Sequence, residues 1–122
     1  MPKVEINTKF WHFDQNNSGG VIRGPAYHVL VEATDYNHAN YRADVELGLY
    51  FDGCESGMDC ECCGDRWYRL VEDYDNGYEV PSIWRVPVTE LDFSKMYRSP
   101  RSKYPAIIIS YLDGKIETID WP

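Results

Sequence analysis

The sequence predicts an α+β domain in which a mixed sheet of five or six strands carries one helix. Three observations predict it. Aromatic and β-branched runs recur along the chain ("TKFWHF", "AYHVLVEA", "AIIISYL"), one stretch has helical spacing, and Asp113-Gly114 stands between two β-rich arms near the C-terminus.

"TKFWHF" (8–13) reads as a strand through its aromatic content, "DQNNSGG" (14–20) is dense in turn formers, and "AYHVLVEA" (26–33) is a strong strand. Thr34 or Asp35 then caps a helix over roughly 36–47, where Tyr36, Ala39, Ala43 and Leu47 share one stripe. Gly48 stands where a left-handed residue closes a helix, and apolar Leu49 follows it. With "LGLYF" (47–51) as the next strand, 26–51 reads as a βαβ unit with a parallel pair. "RWYRLVE" (66–72) reads as a strand, "DYDNGY" (73–78) as a turn, and "SIWRVPV" (82–88) as a strand broken at Pro87. "SKMYRSPRSKYP" (94–105) is an irregular basic loop, and "AIIISYLDGKIETID" (106–120) closes the chain as a hairpin with a two-residue type I′ turn at Asp113-Gly114.

At 122 residues, 43% of them hydrophobic and 15% aromatic, residues 1–122 are expected to form one domain with a packed core, and the composition argues against disorder. No apolar run is long enough to cross a bilayer, so no membrane partner is expected. "MPKVEINTKF" lacks the hydrophobic stretch of a secretory signal, and the expected compartment is therefore a reducing cytoplasm, where disulfides rarely persist. The formal net charge is −8, and its location is informative. From Asp44 to Glu79 there are eleven acids and two bases, while the remainder is close to neutral. Such a field repels nucleic-acid phosphate and favours a basic protein partner; plain solubility is the simpler reading.

All four cysteines lie in "GCESGMDCECCGDRW" (53–67): Cys54, Cys60, Cys62 and Cys63. Zinc takes four ligands in tetrahedral array, and thiolate is a common structural ligand. The spacing C-x5-C-x-C-C differs from the paired C-x2-C of ribbons and fingers. Gly57 eases a loop between Cys54 and Cys60, and Gly64 permits the turn that lets the vicinal pair reach one ion. Otherwise His12, His28 or His38 supplies the fourth position. Two disulfides, a reactive thiol and buried free cysteines are the competing readings. A catalytic zinc lacks its usual His-Glu-x-x-His signature here.

Structural zinc is the expectation. Apart from Met58, segment 52–65 has almost nothing apolar with which to order itself, and Arg66 and Arg69 are at hand to neutralise a thiolate-rich site. The resulting knuckle presents Asp52, Glu55, Asp59, Glu61 and Asp65 as a contact surface.

Other constellations carry weaker chemistry. Backbone N–H groups of Asn16, Asn17, Ser18, Gly19 and Gly20 suit an anion nest, but the lysine and following helix of a P-loop are missing, and a tight turn between strands is the plainer account. His12 and Asp14 share a strand face as an acid/base pair or as an exposed polar pair. Lys95, Arg98, Arg101 and Lys103 interleave with Tyr97 and Tyr104, a pattern that tracks single-stranded nucleic acid, although the acidic remainder opposes it and a solvated loop is the simpler reading. Core packing accounts for Trp11, Trp67, Trp84 and Trp121, and an exposed member among them would anchor an interface.

Together, "NTKFWHFDQNNSGG", "VLVEATDYNHANYRADVELGLYFDG" and "CESGMDCECCGDRW" give the chain a likeness over most of its length. It resembles a family of small uncharacterised proteins of tailed bacteriophages, with a QNNSGG loop and a DCxCCGDRW cysteine motif. The resemblance implies a virus-encoded accessory protein of the host cytoplasm, and no particular activity. The functional expectation is a non-enzymatic phage accessory protein with a structural zinc site that binds a host or phage protein. The alternative is a small nucleotide- or nucleic-acid-binding protein using the 14–20 loop or the basic 95–103 segment.

Overall fold

Alternation along β1 (Lys9–Asp14) sends Trp11 and Phe13 to one side of a sheet, and Phe10, His12 and Asp14 to the other. The structure, a computed structural model, describes residues 7–17, 22–57, 59, 64–71, 77–100 and 102–122. β1 pairs antiparallel with β2 (His28–Ala33), β2 pairs parallel with β5 (Ile107–Ser110), and β5 pairs antiparallel with β6 (Ile116–Ile119). A second sheet of two short strands, β3 (Ser82–Ile83) and β4 (Val86–Pro87), brings the described strands to six. The fold is thus the expected mixed α+β architecture with one main helix and a C-terminal hairpin.

β2 is covered on both faces, which is why its run of apolar residues is nearly unbroken. On one face Val29, Val31 and Ala33 join Trp11, Phe13, Leu49, Phe51, Trp67 and Leu70 beneath α1 (Tyr36–Leu47). On the other face Leu30, Ile107 and Ile109 meet Ile83, with Val88, Leu91, Phe93 and Met96 packed against them. Two single turns of 3-10 helix, Val88–Glu90 and Phe93–Lys95, shape that second layer. The outer edge of β1 is closed near both ends by isolated bridges, Phe10 to Tyr78 and Gln15 to Trp67.

The helix runs as its spacing predicts. Asp35 caps it, its carboxylate accepting the His38 N–H at 2.8 Å, a contact worth about 1 kcal/mol. At the far end Gly48 adopts φ 73°, its N–H donates to the Asp44 carbonyl at 3.1 Å, and the Leu49 N–H donates to that of Ala43 at 3.0 Å. Ala39 and Ala43 are fully buried and let the helix sit close to the sheet. Buried Asn40 holds the backbone of Leu70 through both its N–H, at 2.9 Å, and its carbonyl, at 3.0 Å. Buried Arg42 reaches through the layer to the Glu32 carbonyl, the Ser110 hydroxyl and the Tyr111 carbonyl.

Several local expectations are corrected. Segment 47–51 does not complete a βαβ unit. Leu47 ends the helix, and beyond Gly48 only Phe51 makes a ladder contact, a single parallel bridge to Trp67. The place beside β2 is taken by β5, whose four-residue register offers a full parallel ladder, and this leaves Leu49 and Phe51 to fill the helix-side core. In 66–72 Trp67 makes isolated bridges only, and no strand forms among the described residues there. The 82–88 segment folds back on itself as β3–β4. The C-terminal hairpin turns through three residues, not two. Gly114 N–H donates to the Tyr111 carbonyl at 3.0 Å, Tyr111 N–H donates to that of Lys115 at 2.8 Å, and only Gly114, at φ 93°, is left-handed. That is a type I turn closed by a glycine bulge, which needs a positive φ at one position where type I′ needs two.

Candidate functional site

Two regions carry the candidate residues. The first is the cysteine loop. A single helical turn, α2 (Gly53–Ser56), opens it, with Asp52 left-handed at φ 55° before it and Gly57 at φ 83° after it. Asp59 is the organiser. Its N–H donates to the Gly53 carbonyl at 2.9 Å, one carboxylate oxygen accepts from the Tyr50 hydroxyl at 2.9 Å, and the other accepts the Arg66 N–H at 2.8 Å. Burial and the Asp59 contact raise the Tyr50 hydroxyl above its ordinary pKa, so it stays a donor. Asp65 accepts the Cys54 N–H at 2.9 Å. Both flanks of segment 60–63 are therefore fastened to the backbone around part-buried Cys54.

Cys60, Glu61, Cys62 and Cys63 lie outside the described residues, and among the described residues no three His, Cys, Asp or Glu side chains gather as a metal site. Of the expected contact acids, Asp59 and Asp65 face inward as backbone acceptors, Glu55 is exposed, and Asp52 pairs with Arg69 at 3.1 Å on the surface. The three histidines are engaged elsewhere. His38 accepts the Thr34 N–H at 3.1 Å, while His12 Nε2 and His28 Nδ1 lie 3.0 Å apart.

The second region is a cleft of about 330 Å³ at the end of β1, lined by Asp14, Gln15, Asn16 and Asn17 together with Tyr27, His28, Tyr68, Trp84 and Tyr97. Of the expected anion-binding loop, Asn16 and Asn17 reach it; Ser18, Gly19 and Gly20 lie outside the described residues. Gln15 is buried and clamps segment 22–26, donating to the Arg23 and Ala26 carbonyls and accepting the Arg23 N–H, each at 2.9 Å. Arg66 fastens the other side, its guanidinium donating to the Asn16 carbonyl and its own carbonyl accepting the Asn16 N–H at 2.7 Å. We expect Gln15→Leu to lower stability by about 2 kcal/mol, since one buried and two part-buried backbone groups lose their partner. Thermal unfolding checks it.

His12 pairs with His28 rather than with Asp14, whose carboxylate stands 3.8 Å from His28 Nδ1. The cause is register: Asp14 lies opposite His28, which brings His12 onto the diagonal of the same face. Burial, and secondarily its neighbour, lowers the His12 pKa to about 3, and burial lowers that of His28 to about 4. Burial raises the Asp14 carboxyl, partly offset by the Gln15 N–H bond. At neutral pH the pair is thus two uncharged rings sharing one hydrogen bond.

Trp84 covers this pair edge-on, with ring centroids 5.9 Å from His12 and 5.2 Å from His28. It is placed there by the β3–β4 turn, whose two central residues, Trp84 and Arg85, are both left-handed at φ 48° and 69°. Sequence reasoning missed this gathering of aromatics. The one signal was the gap of two residues between "SI" and "VPV", but Trp-Arg is not a pair that announces such a turn.

No helix among the described residues is long and apolar enough to cross a membrane. No curated protein and no solved structure matches the chain. A family model does, over residues 8–121, and the chain belongs to the family defined by that domain of unknown function, DUF7296.

Proposed function

We propose that this chain is a non-enzymatic accessory protein of bacteriophage origin, working in the host cytoplasm, whose acidic loop is stapled by zinc and docks on a basic host or phage protein. Cys54, Cys60, Cys62 and Cys63 are the ligands, and the ion supplies structural order alone. One observation carries the reading: Asp59 and Asp65 spend their carboxylates on the backbone on either side of segment 60–63, closing the loop around Cys54. The engagement of His12, His28 and His38 elsewhere favours four thiolates over a histidine substitute. Asp52 and Glu55, with Glu61, remain as the contact charges, since Asp59 and Asp65 serve the frame.

Native mass spectrometry should show one zinc per chain, lost on treatment with a chelator. Reversing exposed Glu55 to lysine should leave the thermal midpoint unchanged while weakening salt-sensitive capture of the partner from infected cells. Sulfurs bonded to one another, or capture indifferent to the charge reversal, would refute the reading.

A further inference from the structure

Two features far apart in the sequence, the Asn16–Asn17 turn and the basic 95–103 segment, meet in the cleft beside Trp84, where Tyr97 faces the turn. Tyr27, Tyr68, Trp84 and Tyr97 bring four aromatic side chains from four separate segments, and Trp84 is 57% exposed. An exposed tryptophan gains little stability from burial, yet this one occupies a left-handed position that strains a bulky residue. A turn that prefers Asn-Gly has kept Trp-Arg.

A second hollow, of about 620 Å³, lies across Tyr27 from the cleft and is lined by Arg98, Ser99, Lys103, Tyr104, Asp120 and Trp121 among others. Tyr27, which lines the cleft, touches two residues of the hollow. Its hydroxyl accepts the Ser99 N–H at 2.9 Å and donates to the Ser99 carbonyl at 3.2 Å, and its ring stands edge-on to Trp121 at 5.0 Å. The Arg98 guanidinium lies over the Trp121 ring at 5.2 Å.

We propose that the cleft binds the base of a nucleotide, with the phosphate directed into the hollow of Arg98 and Lys103. The exposed rings of Tyr68, Trp84 and Tyr97 offer stacking surfaces that tolerate any base. Asp14, Asn16 and Asn17 line it with the kinds of acceptor and donor that the edge of a base requires. The volume suits one base and its sugar and is too small for a duplex. The charge of the hollow agrees with an anionic tail: Arg98 and Lys103 line it against the one carboxylate of Asp120, although the whole chain is acidic. The same charge disfavours a cationic occupant. This site is separate from the cysteine loop and stands or falls independently of it.

Calorimetric titration of the full chain with a nucleoside monophosphate, the matching nucleoside, inorganic phosphate and a short single-stranded oligonucleotide tests the site. Saturable binding of the monophosphate is expected, with the nucleoside weaker and inorganic phosphate weaker still. A strand that binds more tightly than the mononucleotide identifies single-stranded nucleic acid as the source; equal or weaker binding identifies the free nucleotide. Replacing Trp84 and Arg85 together by Asn and Gly should keep or raise the thermal midpoint while weakening binding by about tenfold or more. Tyr97→Ala, on an exposed irregular segment, should weaken it similarly without any change in the turn. Arg98→Ala should weaken the monophosphate and spare the nucleoside. No heat with any nucleotide, inorganic phosphate binding as tightly as the monophosphate, or unaltered affinity in both aromatic variants would overturn the proposal.

Discussion

Acidification from about pH 7.5 to about pH 5 is expected to lower the folding free energy by roughly 2–4 kcal/mol, with most of the loss below pH 6.5. The cause is the enclosed pair His12 and His28, whose folded pKa values are about 3 and about 4. In the unfolded chain both imidazoles titrate near 6.5, so between that value and the folded ones the unfolded state holds more protons. Stability is then fully present above 6.5 and is lost as pH falls towards 4 and 3. Each ring is worth about 2 kcal/mol at pH 5, and the lower bound allows for one ring relaxing outward to accept its proton.

Asp14, the other titratable group beside the pair, acts in the opposite sense. Its folded pKa lies above 3.8, so the folded state holds more protons there and recovers some stability at the acid end of the range. Urea unfolding at a series of pH values checks the slope, and His12→Gln should reduce it by about half. A profile flat from pH 7.5 to pH 5 would contradict the burial of the pair.

Arg42→Met should cost about 3 kcal/mol, making it one of the most damaging single changes on the helix. The guanidinium donates to the Glu32 carbonyl at 2.6 Å, and to the Ser110 hydroxyl and the Tyr111 carbonyl at 3.0 Å each, tying α1 to β2 and to the end of β5. Its pairing with Glu46 adds less, because that carboxylate is close to half exposed. Methionine keeps the apolar stem and removes every donor, leaving enclosed acceptors without a partner. Arg42→Lys should recover only part of the loss, since an ammonium cannot fork to several acceptors at once. A shift of the urea midpoint at constant slope would measure the effect.

Elements specified by neighbouring residues were legible in the sequence. Asp35 and Gly48 mark the two ends of α1, and the stripe of Tyr36, Ala39, Ala43 and Leu47 identifies the buried face. Pairings between distant segments were not. Nothing local tells "LGLYF" that "IIIS" will occupy the place beside β2, and both runs have strand-like composition. Asp113-Gly114 was ambiguous for a different reason: a single glycine serves a bulged three-residue turn as well as a two-residue one.

At the candidate sites, Asn16, Asn17 and Tyr97 were recognisable one by one. Their convergence depends on the layer that carries Trp84 folding over β1, and on Gln15 and Arg66 fastening the strand end, which no spacing rule contains. Asp59 and Asp65 read in the sequence as contact acids of the cysteine loop; their inward orientation depends on backbone donors that composition does not reveal.

β2 lends Val29, Val31 and Ala33 to the helix side and Leu30 to the opposite side. A slip of one residue along that strand would drive His28 and Glu32 into the apolar layer under α1 and, at the same stroke, strip the other layer of its central leucine. The two halves of the molecule therefore check each other's alignment, so that assembling either one in the wrong phase penalises both.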